Sequence, residues 1–377
     1  MRCPSPVLLL LSTGILVLTA VPAAGQAFTS ASYPHGARAA GMAGAVTALG
    51  DGSWAGLYNP AAWARQSLLH AGHERMDLAR LGSDAHLEAG VGGVSLAGIV
   101  GVGVARSQLV HGETAYTVAG DRTALLRPRD RTDVIGAAVD LGRALDIPGL
   151  ELAFGASYKQ LQSRIRPREP GSPVLADDEA DDWDLGALVS WRTGLAGPAP
   201  GQPDGAPAST LRLSGGVSVI NAGDPVFPGE DGTEIHAGRT SAVGVAVDLG
   251  LGRVSPVTHA AELRVAAEVR RLEVAYAAGP PPLATAQRED ESLHLGAEMV
   301  LAGVFSARMG YVDDPLRDLG EISYGAGVQF LVPGLRIHVR GDYARVPLRT
   351  VLPLSDLSLA APYDRLDRYA LGVWIGF

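Results

Sequence analysis

The stretch WDLGALVSW, residues 183–191, alternates between two kinds of side chain at every step. Its apolar positions, which share one face of an extended chain, are Trp183, Leu185, Ala187, Val189 and Trp191. The positions of the opposite face are Asp184, Gly186, Leu188 and Ser190. A period of two is the signature of a β-strand whose two faces meet different surroundings. The stretch therefore predicts a strand with one apolar face and one face that mixes charge with glycine.

The same alternation recurs along the chain from about residue 67. Fourteen candidate strands follow it, at residues 67–75, 86–95, 98–109, 133–142, 149–162, 183–192, 210–219, 241–250, 259–270, 292–301, 304–312, 320–330, 335–345 and 368–377. Most approach the roughly 9–11 residues that a tilted strand needs to cross a bilayer, whereas strands of soluble proteins are nearer 5–6. The pattern predicts an all-β fold, a 14-stranded antiparallel transmembrane β-barrel.

The connections between the predicted strands alternate in length. Outer-membrane barrels have short turns on the periplasmic side and longer loops on the outer side. With the first strand starting inside, the longer connections, such as residues 110–132 and 220–240, fall outside, and short ones, such as residues 302–303, fall inside. Residues 193–209 depart from this rule, since they form a Pro/Gly-rich insertion on the inner side. Connection length thus favours a membrane barrel independently of strand length.

Both ends of the chain carry patterns typical of exported barrels. A positive residue, an apolar run from Val7 to Thr19 and the small residues of PAAGQA predict a secretory signal peptide over residues 1–27. The last residues, YALGVWIGF, place Tyr369 and Phe377 on one apolar face. This ending resembles the signal that the barrel-assembly machinery recognises, and the alternative is an ordinary edge strand. We therefore expect localisation in the outer membrane of a Gram-negative-type bacterium.

The composition argues against several classes of function. A net charge of −9 gives no support to nucleic-acid binding, which usually shows a basic patch. The only cysteine, Cys3, lies in the predicted signal peptide, so we expect neither a disulfide nor a thiolate metal site in the mature chain. The sequence contains no G-x-S-x-G, no H-E-x-x-H and no phosphate-binding loop. We therefore expect no enzyme activity, no cofactor and no metal.

Residues 28–66 precede the first predicted strand and fit neither a helix nor a strand well. They include GARAAGMAGAVTALGDGSWAGLYNPAAWAR, residues 36–65, which is small, apolar and rich in glycine. A barrel of this width cannot be filled by side chains alone, and non-regular backbone at membrane depth is tolerated only within protein or beside a cavity. We therefore expect residues 28–66 to form a plug in the lumen and residues 67–377 to form the barrel.

The plug stretch resembles the N-terminal signature of the FadL-like outer-membrane superfamily. The matching elements are the glycine-rich GMAGA with Gly41, Met42 and Gly44, the acidic Asp51, and the NPA motif of Asn59, Pro60 and Ala61. The family pattern continues with Gly-Leu, where this chain has Ala62 and Trp63. The superfamily includes fatty-acid and hydrocarbon channels and the PorV and PorQ proteins of type IX secretion. The resemblance implies an outer-membrane barrel with an N-terminal hatch.

The NPA motif allows two interpretations. In the fatty-acid channels that this chain resembles, the motif belongs to the hatch, and the ligand leaves sideways into the membrane through a gap in the wall. The resemblance therefore implies that Asn59 and Pro60 act in a gate. Pro60 fixes its own φ angle and donates no backbone hydrogen bond, while Asn59 can bind its own turn. The alternative is a structural turn that only seats the plug.

Charged residues recur on the inward register of the later predicted strands. Barrel interiors are normally polar, so these side chains are expected either to form an ion-paired network that holds the plug or to line a path for solutes. They are Glu262, Arg264, Glu268, Arg270, His294, Glu298, Arg336, His338, Arg340 and Asp342.

Two functions are consistent with the resemblance. In the first, the protein is a passive channel that takes up small lipophilic ligands and releases them laterally into the membrane. In the second, it is a PorV/PorQ-like component of a type IX secretion system, and its outer loops meet cargo or other secretion-system subunits. Outer-membrane lipid and the barrel-assembly machinery are expected partners in both cases, and nucleic acid in neither.

Overall fold

The structure of the protein is a computed structural model. It describes residues 35–78, 84–112, 114–118, 122–167, 176–195, 208–223, 226–228, 234–236, 238–255, 258–277, 285–315, 319–332, 336–347 and 365–375. The predicted signal peptide and Phe377 lie outside these residues. In the described ranges the α-helices are α1 (Ala37–Gly41) and α2 (Leu141–Ala144), and no helix there is both long and apolar enough to span a membrane.

Strands make up most of the described chain. They are β1 (Leu69–Asp77), β2 (His86–Leu96), β3 (Val100–Val110), β4 (Thr114–Val118), β5 (Arg122–Asp140), β6 (Leu150–Pro167), β7 (Ala176–Gly194), β8 (Thr210–Ile220), β9 (Val226–Pro228), β10 (Glu234–His236), β11 (Arg239–Ser255), β12 (Thr258–Ala277), β13 (Thr285–Leu301), β14 (Phe305–Asp314), β15 (Leu319–Val332), β16 (Ile337–Pro347) and β17 (Arg365–Ile375).

Fourteen of these strands form a closed antiparallel barrel. Each pairs with the next along the chain, and the ring closes where β1 pairs with β17, with Leu69 opposite Ile375. Strand β3 pairs directly with β5, and the short β4 pairs with the outer end of β5 beyond that contact. Strands β9 and β10 form a separate hairpin. Each barrel strand overlaps one of the predicted segments, and the predicted barrel of 14 antiparallel strands is confirmed.

The outward face of the wall is apolar along much of its height. On β7 the outward positions Trp183, Leu185, Val189 and Trp191 are about half exposed, whereas the inward Asp184 and Leu188 are buried. A closed barrel with an apolar outer band and a polar interior is the architecture of outer-membrane proteins. The chain is therefore a barrel of the outer-membrane type.

The strands differ greatly in length. The short strand β1 has 9 residues and β12 has 20, and β5, β6, β7, β11 and β13 have 17 to 19. A tilted strand needs roughly 9–11 residues to cross a bilayer. Strands β5, β6, β7, β12 and β13 therefore continue past the membrane on the outer side, whereas β11 extends beyond β8 at its turn-side end.

The N-terminal segment, residues 35–66, precedes the wall and has local structure of its own. After α1 it makes short 3₁₀ turns at Ala55–Leu57 and Pro60–Arg65. The side chain of Asn59 caps the second turn by accepting a hydrogen bond from the Ala61 N–H, and Pro60 occupies the first position of the turn. Proline is favoured there because its fixed φ suits a helix start and its missing N–H has no partner to lose.

Candidate functional site inside the barrel

The N-terminal segment contacts strands on opposite sides of the ring. Helix α1 packs against β14, β15, β16 and β17, whereas the turn at Pro60–Arg65 packs against β2, β3, β5, β6 and β7. A compact piece of chain that touches both sides of a closed wall lies within it. That this segment closes the lumen to solutes, as the plug prediction holds, stays a prediction.

A ring of glycines receives the segment. We call it the glycine belt, and its members, all on inward positions and from ten different strands, are Gly72, Gly103, Gly136, Gly155, Gly186, Gly216, Gly244, Gly296, Gly310 and Gly325. Strand pairing sets several of them directly opposite each other, including Gly155 and Gly186. A methyl group added at most of these positions would overlap or crowd the backbone or side chains of the segment. The belt lets the segment approach the bare backbone of the wall.

Trp63 is the largest side chain that the belt accommodates. Its ring is fully buried and lies over Gly103 and Gly136, where an added methyl group would overlap it. The indole Nε1 donates a hydrogen bond to Ser157 Oγ at 3.2 Å. Trp63, one of the two residues at which this chain departs from the family pattern, is thus a main contact between segment and wall.

Asn59 connects the NPA motif to strands β7 and β8 by hydrogen bonds. Its side chain is buried, and its amide nitrogen donates to the carbonyl oxygens of Thr47 at 3.0 Å, Ala187 at 3.0 Å and Val217 at 3.3 Å. The neighbouring Pro60 lies against Gly155 of β6. Both the gate and the structural-turn interpretation predict such contacts.

Glu298 of β13 is the centre of the charged network. Four arginines donate to its fully buried carboxylate. They are Arg38 at 2.6 Å, Arg264 at 2.9 Å, Arg308 at 2.7 Å and Arg340 at 3.0 Å. Arg38 belongs to α1, so the network joins the segment to strands β12, β13, β14 and β16. Of its members, Arg38 and Arg308 escaped the sequence analysis.

Asp51 of the segment completes this network. Its carboxylate lies 3.0 Å from Arg38 Nη1 and 3.3 Å from Arg264 Nη1. Burial by itself would raise the pKa of Asp51, but the two guanidinium charges outweigh burial and lower it to about 2. The acidic residue of the family-like signature is therefore an ion-pair partner of segment and wall together.

Two further carboxylates bind the backbone of the segment. Glu74 of β1 accepts from the Gly36 N–H at 2.8 Å and from Arg368 Nη2 at 3.1 Å. Glu268 of β12 accepts from the N–H groups of Val46 at 3.1 Å and Thr47 at 2.9 Å. Carboxylates suit these positions because free N–H groups of an irregular backbone need strong acceptors.

The other predicted site residues near the N-terminal segment bind its backbone carbonyl groups, pack against glycines of the wall or pair with a neighbouring arginine. His294 Nδ1 lies 2.6 Å from the Ala43 oxygen, and Arg270 Nη2 donates to the Gly44 oxygen at 3.0 Å. Met42 is fully buried against Gly296, and Gly41 lies on Gly325. Glu262 pairs with Arg264 at 3.0 Å. The structure thus brings most of the predicted lumen charges to the segment.

Three of the predicted site residues make no contact with the N-terminal segment that is described above. Arg336 was expected on a strand, but β16 starts at Ile337, and Arg336 is an exposed turn residue with a φ of 51°. His338 stacks on Trp374 with ring centroids 5.3 Å apart, near the turn-side end of the lumen. Tyr369 faces outward, 61 % exposed, beside Tyr343.

The lumen has different linings above and below the segment. On the turn side, a cavity of about 790 Å³ is bordered by Arg38, Asp51, Trp54 and His338, among others. On the outer side, inward residues of the short strands form an apolar cluster, whose members include Met76, Leu78, Leu87, Leu109, Val346 and Leu366, packed on Ala37 and Ala40 of α1. We call it the outer apolar cluster. Within the described ranges, no group of three or more His, Cys, Asp or Glu side chains is arranged to hold a metal ion.

Comparison with known proteins gives similarity at the level of structure. A Pseudomonas aeruginosa FadL homologue is similar at 12 % identity, covering 91 % of this chain and 99 % of that one, with a TM-score of 0.45. The Pseudomonas putida toluene transporter TodX is similar at 10 % identity over 90 % and 96 % of the chains, TM-score 0.43. The CymD monoaromatic hydrocarbon channel is similar at 12 % identity over 93 % and 99 %, TM-score 0.41.

No family model matches the sequence, and no curated protein sequence matches it. The structural similarities concern barrel architecture alone. The function is therefore inferred from this chain's own residues.

Proposed function

We propose that the protein is a passive outer-membrane channel for small hydrophobic molecules, with the N-terminal segment as its gate. The observation that carries this proposal is the outer apolar cluster. Barrel interiors are normally polar, yet Met76, Leu87 and Leu109 turn buried apolar side chains into the lumen. In the same part of the wall the outward neighbours include charged residues such as Arg75 and Glu88. The cluster is closed in the structure, with Leu87 fully buried, so under this proposal it opens to admit the ligand from the outer side.

The segment is the natural barrier below this site. It touches ten glycines of the belt, and Glu74, Glu268 and Glu298 hold it through buried hydrogen bonds. Deleting residues 28–65 is expected to raise the single-channel conductance of the barrel in a planar bilayer. Unchanged conductance would contradict the gate.

Lateral release into the membrane, which the resemblance implies, would need an opening between two strands. In the described residues the strands pair all round the ring, and the register shifts between Arg253 and Ser255 of β11. This shift lies at the turn-side end of the β11–β12 hairpin, beyond the last residue paired with β8, so lateral release requires separation of strands that are regularly paired within the membrane. Reconstituted vesicles would test this, because laterally released tracer would accumulate in the bilayer before it reaches the interior.

Substitution within the apolar cluster tests the ligand class. Leu87→Asn places an amide in the cluster, and an unpaired amide in apolar surroundings costs about 1–3 kcal/mol, so uptake of a labelled hydrocarbon is expected to fall about 5- to 150-fold. Val312→Asn is the matched control, because Val312 is also buried and inward but belongs to β14, outside the cluster. Equal uptake by wild type and Leu87→Asn, or an equal loss in both variants, would rule out the cluster as entry site.

The second candidate is a PorV/PorQ-like secretion component. The observation that favours it is the outer extension of β5, β6 and β7, which rises well past the bilayer and exposes charged side chains to possible subunits. A photo-crosslinker at Glu179, on this extension, is expected to capture secretion-system subunits in native cells under this hypothesis. Absence of such adducts, together with hydrocarbon uptake by the purified barrel, would favour the channel.

A further inference from the structure

We propose that the turn-side cavity binds a neutral oligosaccharide from the periplasm. The cavity lies between the N-terminal segment and the wall from β12 through β17 to β1, and its volume is about 790 Å³. Small-molecule sites enclose roughly 300–1,000 Å³, so the space suits a ligand of more than one ring. The short turns of an outer-membrane barrel face the periplasm. This site goes beyond the proposed function, because that channel takes up hydrophobic molecules from the outer side.

The segment leaves one of its stretches uncovered at this cavity. Residues 44–50 are all buried, whereas the next four residues, 51–54, are partly or fully exposed. These four, Asp51, Gly52, Ser53 and Trp54, all border the cavity. A stretch that stays accessible inside an otherwise packed lumen is available to contact a ligand.

Aromatic rings form one side of the cavity. Trp54 of the segment and Trp374 of β17 border it, and Trp374 stacks on His338 of β16 with parallel rings 5.3 Å apart. An aromatic ring offers a flat apolar face, and the indole of tryptophan adds a polar N–H at its edge. A pyranose ring exposes C–H groups on one face and hydroxyl groups around its rim. It can therefore pack on these rings while its rim stays free for hydrogen bonds.

The charges at the cavity are already paired, which selects a neutral ligand. Each carboxylate or guanidinium group that borders it, apart from the exposed Arg336 at its mouth, makes an ion pair with described residues. The pairs are Arg38–Asp51, Arg264–Glu262, Arg340–Asp342 and Arg65–Glu151, at distances of 2.7 to 3.0 Å. An ion would break a pair or remain unbalanced, at a cost in free energy. Hydroxyl groups can instead add hydrogen bonds, because each carboxylate oxygen accepts more than one.

The lining offers more hydrogen bonds than a hydrocarbon could use. Ser53 Oγ donates to the Ala71 oxygen only over 3.5 Å, which is long for a hydrogen bond between oxygens. The Asp51 side chain is 36 % exposed, and Ser67 and Gln329 also border the cavity. Hydroxyl groups both donate and accept, so they match carboxylate, amide and hydroxyl groups together. Several hydroxyl groups around an apolar ring are the chemistry of a sugar.

The test is isothermal titration calorimetry of two neutral trisaccharides, chitotriose and maltotriose, on the full barrel in an amine-oxide detergent, which has no sugar headgroup. Wild type is expected to bind at least one of them. Trp374→Leu removes an aromatic face and should weaken that binding roughly 30-fold, as is typical when a tryptophan anchor is truncated. The matched control is Trp191→Leu, which removes an outward tryptophan and should bind like wild type. An equal loss in the control would contradict the site.

Ser53→Ala is a milder second variant, because it removes one hydroxyl group and leaves the wall unchanged. It should weaken sugar binding about 2- to 12-fold, the contribution of one hydrogen bond, with an unchanged thermal midpoint. Absence of binding by wild type at millimolar sugar, or equal affinity of wild type and both variants, would overturn the proposal. Tighter binding of the anionic trigalacturonate would contradict a neutral ligand. Displacement of the sugar by a hydrocarbon would assign the cavity to the transported molecule instead, and hydrocarbon uptake itself is measured independently.

Discussion

The N-terminal segment meets two arcs of the wall by different means. On the charged arc, formed by β12 to β17 and β1, the buried carboxylates Glu74, Glu268 and Glu298 take hydrogen bonds from the segment. On the packing arc, formed by β3 to β8, Trp63 and Pro60 lie on bare glycine backbone, and Arg65 pairs with Glu151 at 2.7 Å. On the charged arc the segment is therefore held mainly by hydrogen bonds to buried carboxylates. On the packing arc it is held mainly by close packing against glycine.

This difference teaches how an irregular segment is positioned inside a barrel. Directional hydrogen bonds to carboxylates fix which backbone N–H groups of the segment face the wall, since each acceptor has a defined geometry. Close packing on glycine fixes the distance, since overlap is forbidden but sliding along the wall is not. The two arcs should consequently fail in different ways when they are changed.

The largest effect is expected at the centre of the charged arc. Glu298→Gln removes the one negative charge that four arginines share, and breaking a buried ion pair from one side costs about 3–5 kcal/mol. The segment should then leave its place, so that trypsin cleaves after Arg38 and Arg65. The cleavage is measured by mass spectrometry on folded barrel in detergent. Glu262→Gln, a partly exposed position of the same strand pair, is the control, and equal protection of both variants would show that Glu298 does not hold the segment.

A smaller effect is expected on the packing arc. Gly136→Ala adds a methyl group that overlaps the Trp63 ring, and overpacking costs about 1–3 kcal/mol. The matched control is Gly341→Ala, whose methyl group would have no neighbour within 4 Å. The thermal midpoint of the barrel should fall in the first variant only, and salt should not change the difference. Similar midpoints would mean that the segment is free to shift away from β5.

The smallest effect concerns pH. The lowered pKa of Asp51, about 2, lies below the value of roughly 3.9 expected in the unfolded chain, so its contribution is present above that value and is lost as the pH falls through about 2. Urea midpoints of wild type and Asp51→Asn should differ by a constant amount above about pH 5 and converge between about pH 4 and 2. A difference that persists at the lowest pH would mean that the charge of Asp51 is not what stabilises this contact.

The sequence predicted the barrel well because the membrane imposes a strict alternation. Each of the 14 strands was located from period two alone. The outer ends were missed where that constraint stops: β5 was predicted from residue 133 but begins at Arg122, since above the bilayer both faces are polar. The same period could have identified Arg308, which alternates with the apolar Phe305, Ala307 and Met309.

The site was less predictable than the wall. Glu74 lies in LHAGHERMD, where outward His73 and Arg75 are polar too, so no contrast between faces marks it as inward. The glycine belt was visible as inward glycine in strand after strand, but a single glycine also suits a bulge or a bend. These glycines form a contact surface only because Trp63 and Pro60 pack against them. Such long-range proximity is not encoded in any local pattern.

The glycine belt also constrains the order of events during biogenesis. The segment precedes every strand in the chain, yet it lies inside a ring that closes only when β17 pairs with β1. Trp63 and α1 are seated against backbone on opposite sides of this ring, so a finished barrel would have to admit them through its mouth and past inward side chains. Enclosure is simpler when the wall is built around the segment, which would then serve as the template on which successive hairpins are laid.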